Sequence, residues 1–240
     1  MNRLSLLILV AAGAFAQAPQ NPAPTGPGGA PATPAARPDG LYAIMKTSMG
    51  DITIQLFEKE TPATVRNFVA LAKGTKPWKD PKTGAMVHRP LYNNINFHRI
   101  MMDGMIQGGD PTGKGDHECG VTIKDEIKPD LKFDQPGRLA MANTGSPNTG
   151  GCQWFITVAP KIPSYDGGYT IFGQVVEGQD VVKAISRVPG TPLPNGGMKP
   201  KQPVKLVSVT IQRVGPEPAH AAPARKAAPA AKKSTTPAKQ

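Results

Sequence analysis

Residues 97–110 read FHRIMMDGMIQGGD, an apolar run with an arginine, a glutamine eight positions later and paired glycines near its end. Around the arginine the residues alternate as they do in a β-strand. Because neighbouring side chains of a strand point to opposite faces, Phe97 and Arg99 are predicted to share one face and His98 to occupy the other. Arg99 is then either a solvated guanidinium on a surface strand or a fixed cation in a lined groove. Gln107 can orient that cation or bind a ligand carbonyl, since its amide both donates and accepts.

A second block, residues 141–156, reads MANTGSPNTGGCQWFI. In this order and at this spacing, the two blocks resemble the cyclophilin family of peptidyl-prolyl cis-trans isomerases. The resemblance extends from about Leu41 to Val214. Two long blocks are far more specific than a short glycine motif.

Three features depart from the family pattern. Gly104 stands where the family usually has a pocket phenylalanine, so the pocket is either wider or filled by Met101 or Met102. Tyr169 stands where many members have a histidine, and it can still cover a proline ring and donate through its hydroxyl. The tryptophan tied to tight cyclosporin binding in some members is replaced near residues 164–165. These changes bear on the expected rate and drug affinity more than on the expected reaction.

The two ends of the chain differ in composition from its middle. Residues 1–16 combine Arg3, an apolar run and a small-x-small site, which is the pattern of a signal peptide; an uncleaved anchor is the alternative. Residues 17–38 are rich in Pro and Ala, and residues 215–240 are rich in Ala, Pro and Lys. Neither can bury enough apolar area to offset its ordering entropy, so both are predicted to be disordered. Residues 39–214 remain as one domain, and the whole resembles an exported bacterial form.

The net charge of +11 is shared between the domain and the tail. The tail holds five basic residues against Glu217, a net +4, and with Arg3 and Arg37 set aside the domain keeps +5. Such a tail either contacts anionic surfaces, such as lipid headgroups, cell-wall polymers or nucleic acid, or keeps the chain soluble. The second interpretation is favoured because such runs specify little. No specific nucleic-acid partner is expected of an exported chain.

Short β-type runs and glycine-rich turns dominate the predicted domain. Residues 41–47 and 51–57 are predicted to form a hairpin, followed by a helix with Thr61 as N-cap that ends at Gly74. A second helix is predicted near residues 179–187. A loop is predicted at 75–93 and further strands near 95–100, 104–108, 138–142, 153–158, 170–176 and 204–213. Many short strands and two helices are typical of an all-β-dominated closed sheet. The resemblance implies a closed eight-stranded antiparallel barrel capped by two helices, with the ligand groove on its outer face.

The resemblance implies that the chain accelerates rotation about X-Pro bonds, which is otherwise slow. No covalent bond breaks, so the site needs a proline pocket, a donor near the nitrogen and polar groups for the flanking backbone. It needs no nucleophile, metal or organic cofactor. By resemblance Arg99 is the catalytic donor, because a guanidinium is always charged and rigidly forked. Gln107, also assigned to catalysis, matches the family glutamine that binds the peptide backbone near the proline. Substrate contacts are expected from Phe97, Met105, Ala142, Asn143, Thr144, Gln153, Phe155, Tyr165 and Tyr169. The apolar members could instead belong to the barrel core, an interpretation favoured for Phe97.

The two cysteines are a candidate disulfide. In the fold implied by the resemblance, the loops carrying Cys119 and Cys152 lie side by side next to the proline pocket. Export favours a bridge between them, and two unpaired thiols are the alternative. His117 and Glu118, together with the cysteines, fit no standard zinc spacing, so no metal site is predicted.

The expected partners are proline-containing peptides and unfolded exported proteins, met by a monomer in the periplasm or the medium. The alternative function is a weakly active or inactive cyclophilin-like module that binds proline-containing segments. Gly104 and the missing tryptophan keep this alternative open.

Overall fold

The structure is a computed structural model that describes residues 37–117 and 119–217. The predicted signal peptide, nearly all of the predicted linker and most of the tail lie outside these ranges. The predicted domain limits therefore stay predictions.

Within these ranges the chain is mostly β, with two α-helices, and its helices and strands have the following bounds. They are β1 (Gly40–Thr47), β2 (Gly50–Leu56), α1 (Pro62–Lys73), β3 (Trp78–Lys79), β4 (Met86–Val87), β5 (Ile95–Asn96), β6 (Arg99–Met101), β7 (Met105–Gly108), β8 (Arg138–Met141), β9 (Trp154–Thr157), β10 (Ile171–Glu177), α2 (Gln179–Ser186), β11 (Gly190–Pro192), β12 (Met198–Pro200) and β13 (Lys205–Val214). No helix in the described part of the chain has the length and apolar character needed to cross a membrane.

Eleven of these strands form one antiparallel sheet in the order β11-β12-β6-β7-β9-β8-β10-β2-β1-β13-β5, and β3 pairs only with β4. The strand β5 ends this order on one side, while β6 lies near its other end. Because only Phe97 and His98 separate β5 from β6 along the chain, the sheet must curl strongly back toward itself. The β-dominated fold with two helices is confirmed at this level. Closure into an eight-stranded barrel stays a prediction.

The strand register brings the two sequence blocks together. Arg99 on β6 faces Gln107 on β7, because a tight turn between Met101 and Met105 folds the first block back on itself. Gln107 is in turn the neighbour of Phe155 on β9. The spacing of eight residues thus becomes a direct cross-strand pair, with side chains close enough to interact.

The structure corrects the assignment of Phe97 to the substrate groove. Phe97 is 1% exposed and lies in the main core, with its ring edge-on to Trp154 at 5.9 Å between centroids. The main chain changes partner at this point: the Phe97 N–H donates to the Val204 carbonyl, and the His98 N–H donates to the Gln107 carbonyl. Strict alternation does not continue across such a change. The prediction that Phe97 and Arg99 share one face therefore fails.

The helix predicted after Thr61 is confirmed, but its cap differs from the prediction. Thr61 occupies the N-cap position, yet its hydroxyl donates to the Phe57 carbonyl at 3.1 Å. The carboxylate of Glu126 instead accepts the N–H groups of Ala63 and Thr64, at 3.1 and 2.8 Å. A distant acidic residue thus satisfies the first turn and complements the helix dipole.

The predicted loop at residues 75–93 contains the β3–β4 hairpin. Trp78 on β3 is buried, and the Arg89 guanidinium lies 4.7 Å from its ring centroid. The Lys79 N–H donates to the Cys119 carbonyl at 2.8 Å. The hairpin therefore supports the segment that carries the first cysteine.

Arg37, which the sequence analysis places in the linker, makes ordered contacts with the domain. Its guanidinium donates to both carboxylate oxygens of Glu177, at 2.9 and 2.8 Å, and to Gln212 at 3.2 Å. It also lies over the Tyr42 ring, at 5.9 Å from the centroid. Packed structure therefore starts at least two residues before Asp39.

Candidate functional site

One groove collects side chains from β6, β7, β9 and the loops beside them. It is lined by Arg99, Met105, Gln107, Gly115, His117, Cys119, Gly120, Val121, Thr122, Ala142, Asn143, Thr144, Thr149, Gly151, Cys152, Gln153, Phe155, Tyr165, Tyr169 and Asn195. Every residue predicted to act on substrate except Phe97 is among them. The interpretation of Arg99 as a purely solvated surface residue therefore does not fit its position.

Four side chains form what we call the aromatic lobe of the groove: Met105, Phe155, Tyr165 and Tyr169. The Phe155 ring is nearly perpendicular to both tyrosine rings, with centroids 5.8 Å from Tyr165 and 5.2 Å from Tyr169. Phe133 stacks on Phe155 at 5.9 Å and is itself buried. Edge-to-face contacts of this kind stabilise ring orientation beyond the effect of area burial. The lobe is thus a packed apolar wall suited to a small saturated ring.

A chain of hydrogen bonds holds the polar side of the groove. Arg99 Nη1 donates to Gln107 Oε1 at 3.2 Å, and Gln107 Nε2 donates to Gln153 Oε1 at 3.1 Å. Gln153 Nε2 in turn donates to the Gly115 carbonyl at 3.2 Å. Each amide uses both its acceptor and its donor. Of the two roles open to Gln107, the structure therefore supports orientation of Arg99.

The space beside Gly104 is occupied by a methionine, since a Cβ placed at Gly104 would stand 3.0 Å from Met101 Cβ. Met101 packs against the aromatic lobe, and its sulfur lies 3.9 Å from Arg99 Nη2. Met102 is 61% exposed. Of the two methionines considered for this space, Met101 is therefore the one that packs there, with a more adaptable side chain than phenylalanine.

The segment of Ala142, Asn143 and Thr144 forms another wall. The Asn143 side chain is committed to the main chain: its Nδ2 donates to the Gly168 carbonyl at 2.9 Å, and its Oδ1 accepts the Gly145 N–H at 3.0 Å. What Asn143 offers to a ligand is therefore its main chain. Recognition of an extended peptide by this segment stays a prediction.

The structure pairs Cys119 with Cys152, the two cysteines named as a candidate disulfide, with Cα atoms 6.3 Å apart. Both are buried at the base of the groove. A bonded pair has no thiolate to offer a metal, so these cysteines are not metal ligands here. Glu118 lies outside the described residues.

Two buried ionisable groups lie behind the polar chain. Burial lowers the pKa of His98; the Asp110 carboxylate opposes that shift, and the Arg99 charge adds to it. Burial raises the pKa of Asp110, but hydrogen bonds from Thr112 and Gly115 outweigh it and hold that pKa below its ordinary range. The wall behind Arg99 therefore contains a neutral imidazole and an ionised carboxylate at neutral pH.

Sequence reasoning missed one part of the site, the turn of residues 193–197 between β11 and β12. The Gly196 carbonyl accepts Arg99 Nε at 2.8 Å, and the Asn195 carbonyl accepts Arg99 Nη2 at 3.3 Å. The run Pro-Asn-Gly-Gly at 194–197 is a turn signal. Nothing local, however, ties it to an arginine 97 residues earlier.

Known proteins similar to this chain were found by family model and by sequence. The family model for the cyclophilin type peptidyl-prolyl cis-trans isomerases matches residues 42–211. The chain is 44% identical over 174 residues to peptidyl-prolyl cis-trans isomerase B of Streptomyces anulatus, covering 72% of this chain and 97% of that protein. It is 45% identical over 171 residues to peptidyl-prolyl cis-trans isomerase A of Mycobacterium tuberculosis, covering 70% and 91%.

A solved structure shows the same fold. The crystal structure of a Cryptosporidium parvum cyclophilin type isomerase, determined in the presence of the dipeptide Ala-Pro, has 31% identity to this chain and a TM-score of 0.60. The match covers 72% of this chain and 99% of that one. By its family model, its relatives and its fold, the chain belongs to the cyclophilin-type peptidyl-prolyl cis-trans isomerase family.

Proposed function

We propose that the chain catalyses cis–trans isomerisation of X-Pro bonds in the groove described above. One observation carries the proposal: a fixed guanidinium, Arg99, stands beside the packed aromatic lobe. The lobe is suited to the proline ring, and the cation stands where polar groups of the same peptide would lie. The names of the relatives, all isomerases, support this activity.

The proposed mechanism is electrostatic. The amide barrier is about 18–20 kcal/mol because resonance stiffens the C–N bond. When that bond twists, resonance is lost and the proline nitrogen regains its lone pair. An N–H group of Arg99 that donates to this nitrogen stabilises the twisted state more than the planar one, which is the condition for lowering a barrier. A preorganised donor in a groove partly closed to water is worth roughly a hundredfold in rate.

Substrate binding in this proposal divides between side chains and main chain. The proline ring enters the aromatic lobe, against Met105 and Phe155. The main chain of Ala142, Asn143 and Thr144, with Gln153 opposite, holds the backbone of the bound peptide. Gln107 orients Arg99 and lies beside the proline.

The order of the strands supports closure of the curled sheet into a barrel. We propose that β5 and β6 act as one bent strand, which with β7, β9, β8, β10, β2, β1 and β13 makes a closed barrel of eight. The hydrogen bonds of Phe97 and His98 to neighbours on opposite sides of the bend support this closure.

The proposed setting is outside the cytoplasm. Residues 1–16 have the sequence of a signal peptide, and the two cysteines are paired, as favoured in an oxidising compartment. The clients are then unfolded exported proteins with X-Pro bonds, met in the periplasm or the medium by a monomer. The basic tail from residue 215 contacts anionic surfaces or serves solubility.

Two-dimensional NMR exchange on a short Ala-Pro peptide tests the proposal. With catalytic amounts of protein, the cis and trans signals should exchange much faster than in the free peptide, where exchange takes roughly tens of seconds or more. If the peptide signals shift on binding but exchange no faster, the chain is the alternative, a cyclophilin-like binding module. Unfolded protein is excluded by recording the circular dichroism of the same sample.

A further inference from the structure

The donors of Arg99 are almost fully committed within the described residues. A guanidinium has five N–H groups in a rigid fork. Nε donates to the Gly196 carbonyl, and one N–H of Nη2 donates to the Asn195 carbonyl. One N–H of Nη1 is bound by Gln107, and the second of Nη2 lies toward the Met101 sulfur. A single N–H of Nη1 remains for a substrate, so the orientation of the fork decides which group reaches the peptide.

The turn of residues 193–197 is built to present those two carbonyls. The Leu193 N–H donates to the Gly197 carbonyl at 3.0 Å, and the Gly196 N–H donates back to the Leu193 carbonyl at 3.1 Å. Gly196 and Gly197 have φ of 79° and 78°, a conformation that glycine adopts without the penalty of other residues. Consecutive left-handed residues sharply reverse the main chain, and here the Asn195 and Gly196 carbonyls meet the guanidinium.

Gly197 also has no room for a side chain. A Cβ placed there would stand 2.8 Å from the Ile100 carbonyl oxygen and 3.3 Å from Arg99 Nε. Among the described residues other than its two chain neighbours, Gly196 brings only Arg99 Nη2 within 4 Å of such a Cβ, at 3.8 Å, which is ordinary contact. The two glycines therefore share one backbone conformation but differ in how closely they approach Arg99.

Apart from its contacts with Arg99, the turn is joined to the site through the start of β12. Met198 on β12 faces Ile100 on β6, and this is the single register pair between the two strands. Hydrogen bonds that the guanidinium donates to the turn carbonyls, rather than an extended strand ladder, hold it on this side.

We propose that the turn of residues 193–197 is the positioning element for Arg99, and that Gly197 is the residue on which its alignment depends. The turn holds Nε and Nη2 from one side while Gln107 holds Nη1 from the other. Without the turn, the side chain keeps one anchor and samples other rotamers, and the remaining N–H no longer meets the twisted amide. This inference rests on the proposed role of Arg99, and it assigns no direct contact with substrate to the turn.

Gly197→Ala tests the proposal, with Gly84→Ala as matched control. Gly84 lies in the β3–β4 turn at φ 71°, and no described residue beyond its chain neighbours comes within 4 Å of its Cβ position, so the control carries similar backbone strain and no crowding. Gly197→Ala should lower kcat on a short X-Pro peptide roughly ten- to a hundredfold, as displacement by about 1 Å does elsewhere. KM should change less than about twofold, because the aromatic lobe is untouched. Gly196→Ala should show a smaller loss.

A second measurement does not depend on turnover or on the folding of a variant. In the unmodified protein the Arg99 Nε–H should give a resolved ¹⁵N–¹H signal, protected from solvent by its bond to the Gly196 carbonyl. A solvent-averaged Nε signal would overturn the proposal even if the enzyme is active. So would kcat for Gly197→Ala within about twofold of Gly84→Ala. A protected signal in a protein without turnover would instead keep the positioning and reject the proposed reaction.

Discussion

Removing the Cys119–Cys152 bridge should destabilise the domain while leaving its groove in place. The bridge joins residues separated by 33 positions. In the chain-entropy model a loop of that length is worth about 3.7 kcal/mol of unfolding free energy, since a 15-residue loop gives about 3 and a 100-residue loop about 4.7. For a domain of this size, that loss lowers Tm by about 10 °C. The perturbation is the double substitution Cys119→Ala and Cys152→Ala.

Contacts other than the bridge explain why the groove should persist. The Lys79 N–H donates to the Cys119 carbonyl at 2.8 Å, and the Tyr92 hydroxyl donates to the Cys152 carbonyl at 3.0 Å. Neither bond uses a sulfur atom. The double variant should therefore keep its turnover on a short peptide within a few fold at temperatures where it is folded.

Urea denaturation at 25 °C measures the effect on three samples: oxidised protein, reduced protein and the double alanine variant. Reduced protein controls for the packing lost with the two sulfur atoms, since it keeps them both. The reasoning fails if oxidised and reduced protein differ by less than about 1 kcal/mol, well below the loop estimate. It also fails if alkylation of native protein from an oxidising compartment finds two free thiols.

Other predictions address the helix cap, the buried histidine and the start of the domain. Glu126→Gln removes the negative charge from the first turn of α1 and should cost about 1 kcal/mol in urea denaturation; no loss would show that the cap is dispensable. Because burial lowers the folded pKa of His98 below its unfolded value of about 6.5, the unfolding free energy should fall between pH 7 and pH 5. His98→Gln should flatten that fall; a slope equal to that of the unmodified protein would refute the assignment to His98. A fragment of residues 39–214 should fold and stay active on short peptides, but be less stable than one starting at Arg37, by under about 1 kcal/mol; loss of peptide activity would contradict the proposed limits.

Features that depend on neighbouring residues were within reach of the sequence. The pair of Arg99 and Gln107 is an example, because one tight turn between β6 and β7 converts their spacing into a cross-strand contact. The first helix is another, since Pro62 and Gly74 mark its two ends and an apolar stripe fixes its buried face. In each case the residues that decide the structure lie within one or two turns of chain.

Features that depend on residues distant in the sequence could not be predicted from it. The cap of the first helix comes from Glu126, more than sixty positions away. The carbonyls that hold Arg99 come from a turn nearly a hundred residues later in the sequence. Because every residue has a main-chain carbonyl, the residue types in that turn do not reveal this contact. The prediction for Phe97 failed for a related reason. The main chain changes its hydrogen-bond partner between Phe97 and His98, so alternation along the sequence does not predict which side chain is buried.

The central claim is that Arg99 catalyses by donating to a twisted X-Pro amide. The most direct test is NMR exchange on a short Ala-Pro peptide with Arg99→Ala, after circular dichroism and urea denaturation have shown the variant to be folded. The account predicts a loss of turnover of about a hundredfold or more, as for removal of one preorganised donor, with peptide binding largely kept. Turnover close to that of the unmodified protein, in a folded Arg99→Ala variant, would contradict it.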